Sequence, residues 1–133
     1  RDIGHEYGAT TGRPRRCGWL DLVALKYSIM INGVTELIMT KADVLDSFET
    51  IKVAVGYKLN GKILDYFPYE IDNNIEPVYK EFKGWNCDIT TKTSEKDFPK
   101  ELADYVRFIE KETGIPVSIV SVGPDRDATI IRS

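Results

Sequence analysis

The run Gly8-Ala9-Thr10-Thr11-Gly12-Arg13-Pro14-Arg15-Arg16 carries the densest chemistry in the chain. Two glycines bracket a pair of threonines, which lets the backbone turn tightly and present its N–H groups. Two hydroxyls and three guanidinium groups are then expected to converge on a small volume. Arginine forks match planar anions through paired, charge-assisted hydrogen bonds, so a carboxylate or a ribose phosphate is what such a group can hold. The run lies just ahead of a predicted helix N-terminus, where the dipole is already positive. Three cations there cost roughly a few tenths of a kcal/mol each, and a local rule broken without compensation tends to mark function. An arginine-rich run also fits a solvated basic loop or a nucleic-acid contact.

Two further segments follow predicted strands. Thr40-Lys41-Ala42-Asp43 ends an apolar, β-branched stretch, Val34–Thr40, and α/β proteins tend to place ligands at the carboxyl ends of strands. A fixed Asp43 carboxylate can accept two parallel hydrogen bonds, from the N1–H and exocyclic amine of guanine, which adenine cannot reciprocate. Lys41 can lay its aliphatic stem along a base plane. Alone, the segment reads first as a surface lysine and an aspartate capping the next turn. Ser121-Val122-Gly123-Pro124-Asp125-Arg126 runs from a buried strand into a Gly-Pro turn. There the Ser121 hydroxyl and exposed backbone groups can meet the other edge of a base, or form a plain turn.

The net charge of −3 argues against a polyanion-binding surface, so anion recognition must come from a local basic cluster. Hydrophobic residues at 42% and charged residues at 29% describe an ordinary globular chain able to bury a core. Cys17, Cys87 and His5 are the whole cysteine and histidine complement, too few for a disulfide framework or a metal-ligand spacing. They favour a reducing, cytoplasmic setting. No apolar run is long enough for a membrane span. The chain opens on Arg1 and is inside a dense motif by Gly8, which reads as a piece of a longer protein.

The elements that would position these segments are legible in outline. Gly18–Asn32 is predicted helical, with Trp19, Leu20, Val23, Ala24, Tyr27 and Ile31 as its apolar stripe, Asp21 in its first turn and Asn32-Gly33 as its stop. Ile51–Leu59 alternates, with Ile51, Val53, Val55, Tyr57 and Leu59 on one face. Asn60-Gly61 then marks a hairpin with a return strand over Lys62–Phe67. Pro68–Phe98 reads as irregular. A second helix is expected over Lys100–Thr113, with Leu102, Tyr105, Val106 and Ile109 inward and Gly114 as its end. Val117–Val122 is a buried strand, and Ala128–Ile131 a further short one. The class is α/β, in the mixed α+β sense.

Taken in order and spacing, GATTGRPRRCGWLD, TKADVLD, EPVYKEFKGW and SVGPDR are similar to the adenylosuccinate synthetases over nearly the whole chain. The resemblance implies a GTP-dependent ligase of de novo AMP biosynthesis. GTP phosphorylates the 6-oxygen of IMP, and the amine of L-aspartate displaces the phosphate. It implies that Ala9, Thr10, Thr11, Gly12, Arg13, Pro14 and Arg15 form the aspartate loop. Arg13 would also reach the IMP ribose, and Arg15 would lie between aspartate and the GTP side. Lys41, Ala42 and Asp43 would read guanine, with Ser121, Val122 and Gly123 closing the other edge. Pro14 interrupts an otherwise basic run and removes an N–H, which leaves the loop's hydrogen-bond count open.

By the same resemblance the glycine-rich phosphate loop, the catalytic aspartate and histidine, and the Mg2+ ligands belong to the N-terminal portion of the family. No catalytic residue and no metal ligand is expected here, and His5, in GHEYG, is not the general acid. The chain would be a single C-terminal domain working with the rest of its own polypeptide in a homodimer. The competing readings are a stand-alone guanine-nucleotide-binding module and a nucleic-acid module built on Arg13, Arg15 and Arg16. The latter lacks a basic stripe with interleaved aromatics.

Overall fold

Each predicted helix ends where a glycine adopts a left-handed backbone. Gly33 closes α1 (Leu22–Asn32) at φ 60, and Gly114 closes α2 (Lys100–Thr113) at φ 71. The computed structural model describes residues 1–132. Around the helices run β1 (Leu20–Asp21), β2 (Leu37–Met39), β3 (Thr50–Leu59), β4 (Lys62–Leu64), β5 (Ile75–Lys83), β6 (Val117–Ser121) and β7 (Thr129–Ile131). In one sheet β3 pairs with β1 in parallel and with β4 and β5 antiparallel; in the other, β6 lies between parallel β2 and antiparallel β7. This is the expected mixed α+β class.

α1 starts four residues later than the sequence predicts. Asp21 is its N-cap, with the carboxylate accepting the Ala24 N–H at 3.0 Å, and Leu20–Asp21 is extended and paired with Val53–Ala54. Because α1 is apolar on nearly every side, periodicity misplaces its inner face. Leu22 and Val23 are buried, whereas Ile31 is exposed and Tyr27 stacks on Phe67 outside the core. The Asp21 carboxylate also accepts the Tyr57 hydroxyl, and burial together with that bond pushes the phenol well above its ordinary range.

The Asn60-Gly61 hairpin forms, with φ 48 and 81 at its two residues as a tight primed turn requires. Its return strand ends at Leu64. β3 breaks its alternation through a register shift between Ala54 and Gly56, which leaves Val55 exposed between two buried residues. β5 occupies the segment read as irregular. Its apolar residues, Ile75, Val78 and Phe82, do not alternate, and Pro77 is tolerated because β5 lies at the edge of its sheet. At its end the Gly84 N–H donates to Glu49 O at 2.8 Å, so close that a Cβ on Gly84 would fall 1.8 Å from the Phe48 carbonyl.

α2 carries the core and matches its prediction. Leu102, Tyr105, Val106 and Ile109 pack with Leu22, Ile51, Val53, Ile89, Val120 and Val122 in one cluster drawn from both sheets. Each such aliphatic side chain contributes roughly 1.5–3 kcal/mol on burial. The aromatic ring of Tyr105 is desolvated enough to push its phenol up to about 12. β2 is shorter than its predicted strand and, as an edge, only half-buried, with Ile38 exposed.

A polar clamp sets β6 against α2. Arg132 donates to Glu110 at 2.6 Å and to the Val117 carbonyl at 2.6 Å, and pairs with Glu95 at 2.8 Å; Glu110 in turn accepts the Val117 N–H at 2.9 Å. Burial pushes the Glu110 carboxyl up, but the hydrogen bonds from Arg132 and Val117 outweigh it and hold the group below its ordinary range. A folded-state value below the unfolded one adds stability above the ordinary glutamate range, and that stability is lost as pH falls through the folded value. Urea midpoints followed downward from about pH 6 should therefore drop less steeply in Glu110→Gln than in the unaltered chain.

Candidate functional site

Parallel pairing of β2 and β6, with Leu37 opposite Val117, Ile38 opposite Ile119 and Met39 opposite Val120, makes both strands end at the same margin of the sheet. Thr40 and Lys41 leave one strand, and Val122 and Gly123 leave the other. Lys41 takes a left-handed backbone at φ 56 and caps a one-turn 3-10 helix, Ala42–Leu45, that carries Asp43. The result is a cleft of about 310 Å³, lined among others by Gly4, His5, Lys41, Asp43, Gly123 and Pro124. Two segments 80 residues apart in sequence (Asp43 and Gly123) thus share one cavity. Asp43 is half-buried there, and its carboxylate enters no salt bridge among the described residues.

Not every residue singled out from sequence offers its side chain to the cleft. Ala42 and Val122 are buried in the core, so their contribution is confined to backbone. The Val122 N–H is already used, donating to Ala128 O at 2.9 Å. The Ser121 hydroxyl donates to Gly123 O at 3.1 Å and so shapes the turn. Gly123 backs onto Ala128 so tightly that an added Cβ would lie 3.1 Å from the Ala128 methyl.

The Gly8–Arg16 run is a closed loop. Tyr7 and Pro14 face each other in an antiparallel bridge, flanked by Gly8 N–H to Arg13 O at 2.8 Å and Arg15 N–H to Glu6 O at 3.0 Å. Pro14 therefore holds the position of the pair that needs no N–H, and its missing donor costs the bridge nothing. Gly12, at φ 64, donates to Gly8 O at 2.9 Å. Thr11 accepts the Arg13 N–H at 3.3 Å. Ala9 and Thr10 sit exposed at the tip. Four residues, Cys17 to Leu20, separate Arg16 from the N-cap of α1 at Asp21. The predicted cation–dipole conflict at that helix end does not arise.

The three arginines also part company. Arg13 and Arg16 are exposed and enter no salt bridge among the described residues. Arg15 turns back to Glu6, with its Nη1 3.0 Å from one carboxylate oxygen. The other oxygen of Glu6 accepts Lys41, whose ammonium also donates to Gly4 O at 2.6 Å. Lys41 first, and then Arg15, hold the Glu6 carboxyl below its ordinary range. Loop and turn are joined at their bases.

Behind the turn stands Asp46, which sequence reasoning passed over although TKADVLD contains it. Its carboxylate accepts Trp85 Nε1–H at 2.6 Å and Ile89 N–H at 3.0 Å. Burial pushes its carboxyl up in spite of those two bonds. Trp85 is itself nearly buried, so Asp46 anchors the Ala42–Leu45 turn to the core. An aspartate three residues after another, beside a Gly-Trp pair elsewhere, was the available signal.

The sequence pattern of the adenylosuccinate synthetase family matches residues 1–130. The chain belongs to the adenylosuccinate synthetase family. It is 64% identical over 132 residues to the adenylosuccinate synthetase of Phocaeicola vulgatus, covering 99% of this chain and 31% of that protein. Against that of Bacteroides fragilis the identity is 61% over 130 residues, covering 98% and 31%. The fully ligated adenylosuccinate synthetase of Plasmodium falciparum superposes with a TM-score of 0.94 at 39% identity, over 100% of this chain and 33% of that one. The chain thus spans about a third of the length of the relatives it matches.

Removing the Asp46 carboxylate strands two buried donors, each worth about 1–3 kcal/mol when left unpaired. Asp46→Ala should lower the urea unfolding free energy by about 2 kcal/mol or more, with Trp85 fluorescence reporting the same midpoint shift.

Proposed function

We propose that this chain supplies the guanine, aspartate and IMP recognition of a GTP-dependent ligase that forms adenylosuccinate. The observation that carries the reading is the shared cleft between the ends of β2 and β6, which puts Asp43 and Gly123 on one cavity. Guanine N1–H and its exocyclic amine donate to the two oxygens of Asp43. Lys41 lays its stem along the base, and the Ser121-Val122-Gly123 backbone meets the opposite edge. Adenine presents an acceptor where guanine presents N1–H, so a half-buried carboxylate there would face a lone pair.

In the same reading Ala9–Arg15 is the aspartate loop. Its tip offers the Thr10 and Thr11 amides and hydroxyls, with Gly12 allowing close approach. Arg15 pairs with the aspartate carboxylates toward the GTP side, and Arg13 reaches the IMP ribose. In the reaction the 6-oxygen of IMP attacks the γ-phosphorus of GTP and GDP leaves. The aspartate amine then attacks C6, the C–O bond breaks, and inorganic phosphate departs as the nitrogen loses a proton. No group of three or more His, Cys, Asp or Glu able to hold a metal occurs among the described residues. The Mg2+ that the family resemblance implies therefore finds no cluster here, and no step of these residues runs through it. The chain acts as one domain, with phosphoryl transfer carried by the remainder of its polypeptide in a cytoplasmic homodimer.

Asp43→Ala, placed in an intact enzyme carrying this segment, should cut kcat/KM for GTP by roughly 100-fold or more while leaving ATP-supported turnover where it was. Unchanged selectivity between the two nucleotides removes Asp43 from the role.

A further inference from the structure

Glu6 is 35 residues from Lys41 in sequence and 9 from Arg15, yet it is bonded to both. Each of its carboxylate oxygens serves a different cation, one rooted in the Gly8–Arg16 loop and one at the head of the turn that carries Asp43. We infer that Glu6 is a positioning residue that couples the loop to the turn, so that occupation of one subsite tightens the other. The inference deepens the proposed function and rests on it.

Backbone bonds anchor this link at both ends, which separates it from an ordinary surface ion pair worth little by itself. On the loop side, the Arg15 N–H donates to Glu6 O at 3.0 Å within the Tyr7–Pro14 bridge, and the Arg15 carbonyl accepts Arg1 Nε–H at 3.0 Å. On the turn side, the Lys41 ammonium also donates to Gly4 O, and Lys41 holds the left-handed backbone from which Ala42–Leu45 starts. Gly4 itself is buried against Val44, where an added Cβ would lie 3.2 Å from a valine methyl. Segment 4–6 is thereby wedged against the turn.

The two cations divide one negative charge. When a carboxylate ligand draws Arg15 away, Glu6 keeps Lys41 as its sole partner and their attraction is no longer shared. Lys41 is then held more firmly beside the base. By reciprocity, a guanine that holds Lys41 and Asp43 in place favours release of Arg15 toward the ligand. Neither residue needs to touch the other for this, and Glu6 need touch no substrate.

The test uses an intact family member carrying this segment. Aspartate KM is measured at saturating GTP and at saturating ITP, whose base lacks the exocyclic amine. The unaltered enzyme should show an aspartate KM roughly five- to tenfold lower with GTP, at the low end of the usual span of coupling between sites. Glu6→Gln should bring the two values together at the ITP level, with kcat changed by less than about twofold. Persistence of the nucleotide dependence in Glu6→Gln overturns the coupling, as does its absence in the unaltered enzyme. If Glu6→Gln does not fold, Glu6→Asp keeps the charge but is one methylene too short to serve both cations, and must shrink the nucleotide dependence of the aspartate KM in the same direction. The link is also read without turnover, from hydrogen exchange at the Lys41 ammonium by NMR. Exchange as fast as that of an exposed lysine with no ion pair among the described residues, such as Lys62, overturns the link itself. Failure of the unaltered enzyme to form adenylosuccinate, with slow Lys41 exchange intact, overturns the functional reading and leaves the link standing.

Discussion

Parallel pairing of β2 with β6 is the constraint on which the rest of the site depends. Strands that run in the same direction end on the same side, so two loops distant in sequence meet without either being shaped for the other. The pairing is short, with β2 only three residues long and half-buried at the edge. It holds because β6 is fixed independently. Val117, Val120 and Val122 are buried under α2, and Arg132 clamps the start of β6 to Glu110. Apolar burial supplies the energy, and the polar clamp supplies the alignment.

Around that margin the chain uses polar groups mainly to place backbone. Asp46 ties the Asp43 turn to Trp85 and Ile89, Ser121 folds its hydroxyl onto Gly123, and Asp21 caps α1 while holding Tyr57. None of these groups is free for a ligand. Asp43 is the exception among the half-buried aspartates, since its carboxylate lines the cleft with no hydrogen-bond or ion-pair partner among the described residues, whereas Asp21 and Asp46 are filled by neutral donors. A carboxylate left with unused acceptor capacity beside a cavity is poised for donors that come from outside. The same contrast separates Arg15, held by Glu6, from exposed Arg13.

How much of this was legible in the sequence varied with how local the cause was. α2 was readable to the residue because its apolar positions repeat on one face and a glycine ends it. The Asn60-Gly61 turn was readable because few residues accept its backbone. β5 was not, since an edge strand exposed on much of its surface has no need to alternate and tolerates Pro77. The start of α1 was misplaced for a related reason: Leu20 and Asp21 have a partner strand, Val53–Ala54, that lies more than 30 residues downstream. The exposure of Val55 depends on a bulge that pairing alone creates.

Residue types and their order determined the family, the tight loop and the segments proposed to meet anions and a base. These are properties of short segments, set by glycine's freedom, by guanidinium and carboxylate geometry, and by strand-to-loop transitions. Tertiary structure decided which groups are available. It buried Ala42 and Val122, turned Ser121 inward, parted Arg15 from Arg13, put Pro14 where no N–H is needed, and joined Glu6 to Lys41. Those outcomes rest on which strands pair and which faces are covered. A carboxylate's partners are chosen by proximity in space, and no spacing along the chain encodes that.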